Sequence, residues 1–181
     1  CLGCYSCVEI GKCIQEEDDF AAILEKMRQA EGIVVGSPVY ISSATPQIMS
    51  LLSRATFVAI WNKRFFTGKV GGPITVARRA GHNLAFSQLL LWFFVNGITV
   101  PGSTYWNVGL AGTAGAHDAD QDEEGMQTVE NFANNLGHVI SRRLRIGDDL
   151  IEFQDNGRRF RQFDPVAVYL SLDLPQPDTD R

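Results

Sequence analysis

The chain has 181 residues, 45% of them hydrophobic, and a formal net charge of −5 from 16 basic and 21 acidic side chains. That length and apolar content suit one globular unit with a sizeable core. A mildly acidic chain without a basic block is not built to hold nucleic acid through its phosphates. Its longest apolar run, Leu89–Val95, is too short to cross a bilayer.

The chain's four cysteines open the sequence as Cys1, Cys4, Cys7 and Cys13, spaced C-x2-C-x2-C-x5-C. Thiolates this close in sequence can surround one inorganic centre, and C-x2-C-x2-C runs are typical of iron–sulfur sites. No proline follows Cys13 and no second run exists, so the pattern points to a single [4Fe–4S] cluster. Structural zinc is an alternative, although it usually takes two separated knuckles. Disulfides are another, with three possible pairings and awkward geometry in so tight a loop. A lipidated Cys1 would leave the other three unexplained. Clustered thiols without a disulfide framework suit a reducing, cytoplasmic setting.

A helix is expected over Phe20–Ala30, where Phe20, Ile23, Leu24 and Met27 share a face and acidic residues 16–19 favour the start. Glu31-Gly32 ends it. Ile33-Val34-Val35, closed by Gly36, reads as a strand buried on both faces. Ser37-Pro38-Val39-Tyr40 reads as a loop, and Pro46 suits the first turn of a helix reaching Trp61. Pro73–Ala77 reads as a second strand, Arg78-Arg79-Ala80-Gly81 as a turn at its carboxyl end, and Leu84–Val95 as a strongly apolar helix stopped by Asn96-Gly97. Thr104–Val108 reads as a third strand, Gly109–Asp120 as a glycine-rich loop, and Asp122–Arg145 as a final helix whose end charges match its dipole. Leu150–Phe153 and Val166–Leu172 would make a hairpin, an edge strand or a docking arm. Pro175–Arg181 is polar and expected to be mobile.

This alternation predicts an α/β fold with a parallel sheet covered by helices. Two units are expected: residues 1–145 as the main domain, carrying the cysteine loop, and 146–181 as a carboxyl-terminal extension. Ligands of such sheets bind beyond the carboxyl ends of the strands. Three loops qualify: Ser37–Thr45, Arg78–Asn83 and Gly109–Asp120. Each is rich in small residues that let backbone amides approach a planar ring. Tyr40 is a candidate to stack on that ring, with Trp106 second and otherwise a core residue. Arg78 and Arg79 would face its electron-rich edge or a phosphate, or else be ordinary solvated charges. Of the scattered histidines, His82 lies in the second loop, His117 in the third and His138 on the last helix; His82 could approach such a ring or else be a surface histidine. No Ser-His-Asp arrangement, G-x-S-x-G or Walker loop is present.

The sequence resembles the iron–sulfur flavoproteins, within the flavodoxin-like NAD(P)H-dependent FMN reductases. The resemblance rests on the cysteine run, on Ala30-Glu31-Gly32-Ile33-Val34-Val35-Gly36-Ser37-Pro38-Val39-Tyr40, and on Gly68-Lys69-Val70, and covers about residues 1–145. It implies FMN as a second cofactor beside a [4Fe–4S] cluster held by Cys1, Cys4, Cys7 and Cys13. It implies contacts to the isoalloxazine from Ser37, Pro38, Val39, Tyr40 and Ser42, bordered by Arg78, Arg79, Ala80 and Gly81. It implies a homodimer or homotetramer in which the cluster of one subunit lies close to the flavin of another, and NAD(P)H or a ferredoxin-type protein as electron donor.

The family's opening strand, phosphate-cradling loop, helix and second strand would all precede Cys1, so the chain is expected to be part of a longer protein, or else a diverged or split protein with weakened FMN binding. Met49 and Ser53 stand where a Lys and an Asp are common. The expected function is electron transfer between FMN and the cluster. The alternatives are an FMN-dependent reductase of quinone- or nitro-type acceptors with a structural or vestigial metal site, and a non-enzymatic cluster-binding redox sensor.

Overall fold

The computed structural model describes residues 1–112, 118–146 and 167–170. Its elements in chain order are α1 (Ser6–Ile10), α2 (Phe20–Gln29), β1 (Gly32–Tyr40), β2 (Ser43–Ala44), α3 (Pro46–Trp61), β3 (Val70–Ala77), α4 (His82–Val95), β4 (Val108–Leu110), a 3-10 turn (Ala119–Gln121), α5 (Glu123–Ile146) and β5 (Ala167–Leu170). The sheet order is β2-β1-β3-β4, with β5 also paired to β1. β1 runs parallel to β3 from Gly32↔Val70 to Pro38↔Val76, and β3 runs parallel to β4 from Thr75↔Val108. β5 pairs parallel with the first half of β1, Gly32↔Ala167 to Val35↔Leu170. The expected parallel α/β architecture is therefore present. His117, Leu150–Phe153 and Pro175–Arg181 lie outside the described residues.

Glycines let the helices close on the two faces. A Cβ on Gly71 would collide with the Ile33 carbonyl oxygen and stand 2.9 Å from the Phe93 ring of α4. A Cβ on the next residue, Gly72, would stand 2.8 Å from the Phe132 ring of α5. Neighbouring strand residues face opposite ways, so α4 and α5 cover opposite faces. The main core lies on the α4 face. There Phe20, Met27, Ile33, Val35, Ile48, Leu52, Phe66, Leu89 and Phe93 pack together, joined by Trp92, whose Nε1 donates to the Leu52 carbonyl at 3.1 Å.

α3 starts as its sequence predicts. Thr45 is extended and caps the Ile48 N–H, and Pro46 occupies the first turn. At the end of α2, the buried Lys69 Nζ donates to the carbonyls of Arg28 and Ala30. Capping the last carbonyls of a helix with a cation is favourable.

Three expectations need correction. Ser37–Tyr40 is not a loop but the second half of β1. Pro38 breaks no ladder bond there because this stretch of β1 faces β3 on only one side. The third strand is Val108–Leu110 rather than Thr104–Val108. β3 engages the chain there through Asn107, whose carbonyl accepts the Thr75 N–H and whose side chain donates to the Pro73 carbonyl. Trp106 is half exposed, not a core residue. Among the described residues, no helix is long and apolar enough to cross a membrane.

Two measurements test this packing. Gly71→Ala is expected to cost about 2 kcal/mol or more through overpacking, whereas Gly36→Ala, with open space around its Cβ, is expected to stay within about 0.5 kcal/mol; urea unfolding of both variants checks this. Burial pushes the Lys69 ammonium down to about 8 from an ordinary 10.5. Between those values the unfolded chain holds a proton that the folded chain has released, so this group makes stability rise with pH across that window. Lys69→Met is expected to remove that part of the rise, read as the difference between wild-type and variant stability from pH 8 to about 10.

Candidate functional site

The parallel register brings the carboxyl ends of β1 and β3 to one edge of the sheet, and β4 ends on the same side. At the end of β1 the chain reverses through Ile41 and Ser42 into β2, pairing Val39↔Ala44 and Tyr40↔Ser43. Both turn residues have positive φ, 52° and 60°. Two-residue hairpins favour that conformation, but usually with Asn or Gly. A β-branched residue there is strained, and Ile41 is 99% exposed. Strain of this kind concentrates at functional sites.

The hairpin is tied down from several directions. The Ser37 hydroxyl accepts the Thr45 N–H at 3.0 Å and donates to the Pro38 carbonyl at 2.8 Å. Gln88 of α4 accepts from the Ser43 hydroxyl at 3.0 Å and the Ala44 N–H at 3.1 Å. Gly81 closes the arrangement. Its φ is +93°, and a Cβ there would stand 2.9 Å from the Ser42 Oγ and 3.1 Å from Val39. Only glycine fits both that backbone and that contact.

The two segments singled out in the sequence are thus brought together. Ser42, Arg79, Ala80, Gly81, His82 and Leu84 line an open depression of about 420 Å³, a volume in the range of small-molecule sites. Arg78, Arg79 and Ala80 are exposed beside it. Tyr40, 55% exposed, alternates onto the opposite face of β1 from Val39, the face it shares with Gly36 and Pro38. Gly36 has nothing within 4 Å of a built Cβ, so that face is open. His82, at the lip of the same depression, has its Nε2 3.2 Å from the Gly109 carbonyl and ties α4 to β4. Trp106 precedes β4 and lies against Tyr105 in a tilted arrangement, with ring centroids 4.7 Å apart and planes at 56°. Sequence reasoning missed Gln88 and Asp122. Asp122 accepts from Leu110 N–H at 2.7 Å and Gly125 N–H at 3.0 Å, pinning the end of β4 to the start of α5. Its position just before an acidic helix start was the available signal.

The cysteine segment lies elsewhere. Tyr5 meets Phe57 edge-on with centroids 6.1 Å apart, and α1 packs on α3. A Cβ on Gly11 would stand 2.9 Å from Asn62 Oδ1. The segment therefore runs along the second half of α3, whose first turn sits beside the hairpin. At 1.5 Å per residue, Phe57 lies about 16 Å along the axis from Pro46. All four thiols are free; Cys1 and Cys4 are exposed, Cys13 partly buried and Cys7 buried. Hydrogen bonds from Ser6 hold the Cys4 thiol below its ordinary value, which favours the ligating thiolate. Among the described residues no three His, Cys, Asp or Glu side chains stand close enough to hold a metal. The donor set is right in kind and number, but this geometry does not gather it.

The chain matches the family model for NADPH-dependent FMN reductase over residues 4–113. It is 31% identical over 147 residues to an iron–sulfur flavoprotein of Methanocaldococcus jannaschii, covering 77% of this chain and 74% of that protein. It is 32% identical over 143 residues to an iron–sulfur flavoprotein of Methanosarcina thermophila, covering 77% and 71%. Among solved structures it is similar to a flavodoxin, WrbA-like protein from Agrobacterium tumefaciens, with a TM-score of 0.52, 16% identity, and coverage of 70% of this chain and 73% of that one. That likeness bears on the fold alone. Sheet order, carboxyl-edge site and sequence match agree: the chain belongs to the NADPH-dependent FMN reductase family and is a flavin-dependent oxidoreductase with a flavodoxin-like fold.

Proposed function

We propose that the protein transfers electrons between FMN at the carboxyl edge of the sheet and a [4Fe–4S] cluster held by Cys1, Cys4, Cys7 and Cys13. The observation that carries the flavin half is the seating of Gly81 on Ser42, which joins the two sequence-predicted segments into one depression. FMN supplies two-electron chemistry that can be released one electron at a time, and a cluster carries one.

The protein's work is binding and orientation. Ser37 and Gln88 hold the hairpin so that Val39, Tyr40 and Ser42 keep fixed positions. Ala80 and Gly81 present small surfaces to an aromatic ring, and Tyr40 and Pro38 offer apolar contact on the open face. Arg78 and Arg79 supply positive charge toward the ring's electron-rich edge or a phosphate. The cluster half is supported by four undisulfided thiols, by the lowered Cys4, and by relatives described as iron–sulfur flavoproteins.

Placing the two centres on different parts of α3 favours transfer between subunits. A second copy has a surface to occupy. α4 is rich in apolar residues, and its Leu84, Leu91, Phe94 and Val95 are exposed along one side. A helix of that kind is normally covered. Leu84 also lines the depression, so the covering copy would border the flavin. We therefore read the working unit as a homodimer or homotetramer taking electrons from NAD(P)H or a ferredoxin-type donor.

Two outcomes are expected. Anaerobically reconstituted protein should carry iron and acid-labile sulfide in equal amounts, and Cys4→Ala should lose nearly all of both; zinc in place of iron, or unchanged content in the variant, would sink the assignment. Arg79→Glu should weaken FMN binding about tenfold, or about 1.4 kcal/mol, read by quenching of flavin fluorescence, with thermal stability unchanged because the side chain is exposed.

A further inference from the structure

Ile41 is the first of the two turn residues between β1 and β2, and the turn itself does not call for it. Its φ of 52° lies in the left-handed region, and Ser42 at 60° repeats the conformation. There the Cβ of an L-residue crowds the following carbonyl oxygen. Two-residue hairpins of this kind favour Asn-Gly. Isoleucine is branched at Cβ and has no polar atom to bond the turn, so it is among the least suited residues for the position. Burial does not compensate, because the residue is 99% exposed.

The turn is nevertheless held. Gln88 accepts from the Ser43 hydroxyl and the Ala44 N–H, the Ser37 hydroxyl accepts the Thr45 N–H, and Gly81 sits against Ser42. Strain persists where the surroundings over-determine it. What these contacts fix here is an apolar side chain at a definite place. Ser42, the next residue, lines the depression, and Tyr40, the one before, shares the open face of β1 with Gly36 and Pro38. Ile41 therefore stands at the lip between the two. Leu84, also exposed, adds an apolar side chain to the lining. A ligand with a broad apolar face would cover Ile41 and remove it from water.

We propose that Ile41 is a flavin-binding residue, an apolar cap at the lip of the depression whose contact with the bound ring offsets the strain of the turn that presents it. This rests on the flavin site proposed above. The strain is then the cost of placing apolar surface where no core holds it, and it is recovered only when the ring is present.

The test sets the stability of the flavin-free full chain against FMN binding by the same variants. Ile41→Asn suits a left-handed turn but lacks the apolar surface. It is expected to shift the folding equilibrium of the flavin-free chain about tenfold toward the native state, read by urea unfolding. It is also expected to weaken FMN binding about tenfold, read by quenching of flavin fluorescence. Ile41→Val keeps the branch and most of the apolar surface, so both quantities should stay within about threefold of the wild type's. An Ile41→Asn chain that is stabler but binds FMN as tightly as the wild type overturns the inference, because the turn is then strained to no purpose at this site. An Ile41→Asn chain no stabler than the wild type overturns it too, since no strain was stored; a change of oligomeric state alongside would assign Ile41 to contact with a second copy. If Ile41→Asn does not fold, Ile41→Gly decides by the same criteria. A wild-type chain that binds no FMN overturns the flavin site and this inference with it; a wild-type chain that binds FMN beside an Ile41→Asn chain of equal affinity overturns this inference only.

Discussion

The parallel pairing of β1 with β3 sets the position of everything else in the molecule. It runs unbroken from Gly32↔Val70 to Pro38↔Val76, so both strands deliver their trailing loops to the same edge. β1 ends in the Ile41–Ser42 turn, β3 in the Arg78–Gly81 segment, and each is small enough at one point to admit the other. The pairing depends in turn on Gly71, whose absent Cβ leaves room for the Ile33 carbonyl and the Phe93 ring. A site of this kind needs few specialised side chains, because flavin chemistry belongs to the cofactor. That is consistent with a depression whose lining combines the small Ser42, Ala80 and Gly81 with Arg79, His82, Asn83 and Leu84.

α3 separates the two proposed redox sites. Its first turn is fixed by Thr45 and Pro46 beside the hairpin, and its second half carries Arg54, Phe57 and Asn62 against the cysteine segment. One helix therefore positions both ends of the electron path, yet holds them apart within a chain. The exposed apolar side of α4 and the bordering Leu84 offer a way to close that gap with a second copy.

Much of this was legible in the sequence where local and tertiary preferences agree. Pro46 to Trp61 begins and ends where proline and apolar spacing put it. Ile33-Val34-Val35 reads as a buried parallel strand because it is one. Legibility fails where tertiary contacts override local signals. Ser37-Pro38 has turn composition but continues β1, since the neighbouring β3 supplies its partners. Gly71-Gly72 hides the first part of β3, because glycine is a poor strand former except where helices must approach. Thr104–Val108 has the branched and aromatic residues of a strand, but the ladder begins only at Val108. The cysteine spacing announces a metal ligand set, while nothing in spacing alone reveals Arg54, which reaches Asp18 from 36 residues away.

The central claim is that electrons pass between flavin and cluster. Its most direct measurement is anaerobic reduction by NADPH of protein loaded with iron, sulfide and FMN, sampled by freeze-quench electron paramagnetic resonance. The account predicts a reduced-cluster signal that appears when FMN is bound and is absent from flavin-free protein carrying the same iron and sulfide. A fully loaded protein whose flavin is reduced while no cluster signal ever develops would contradict it.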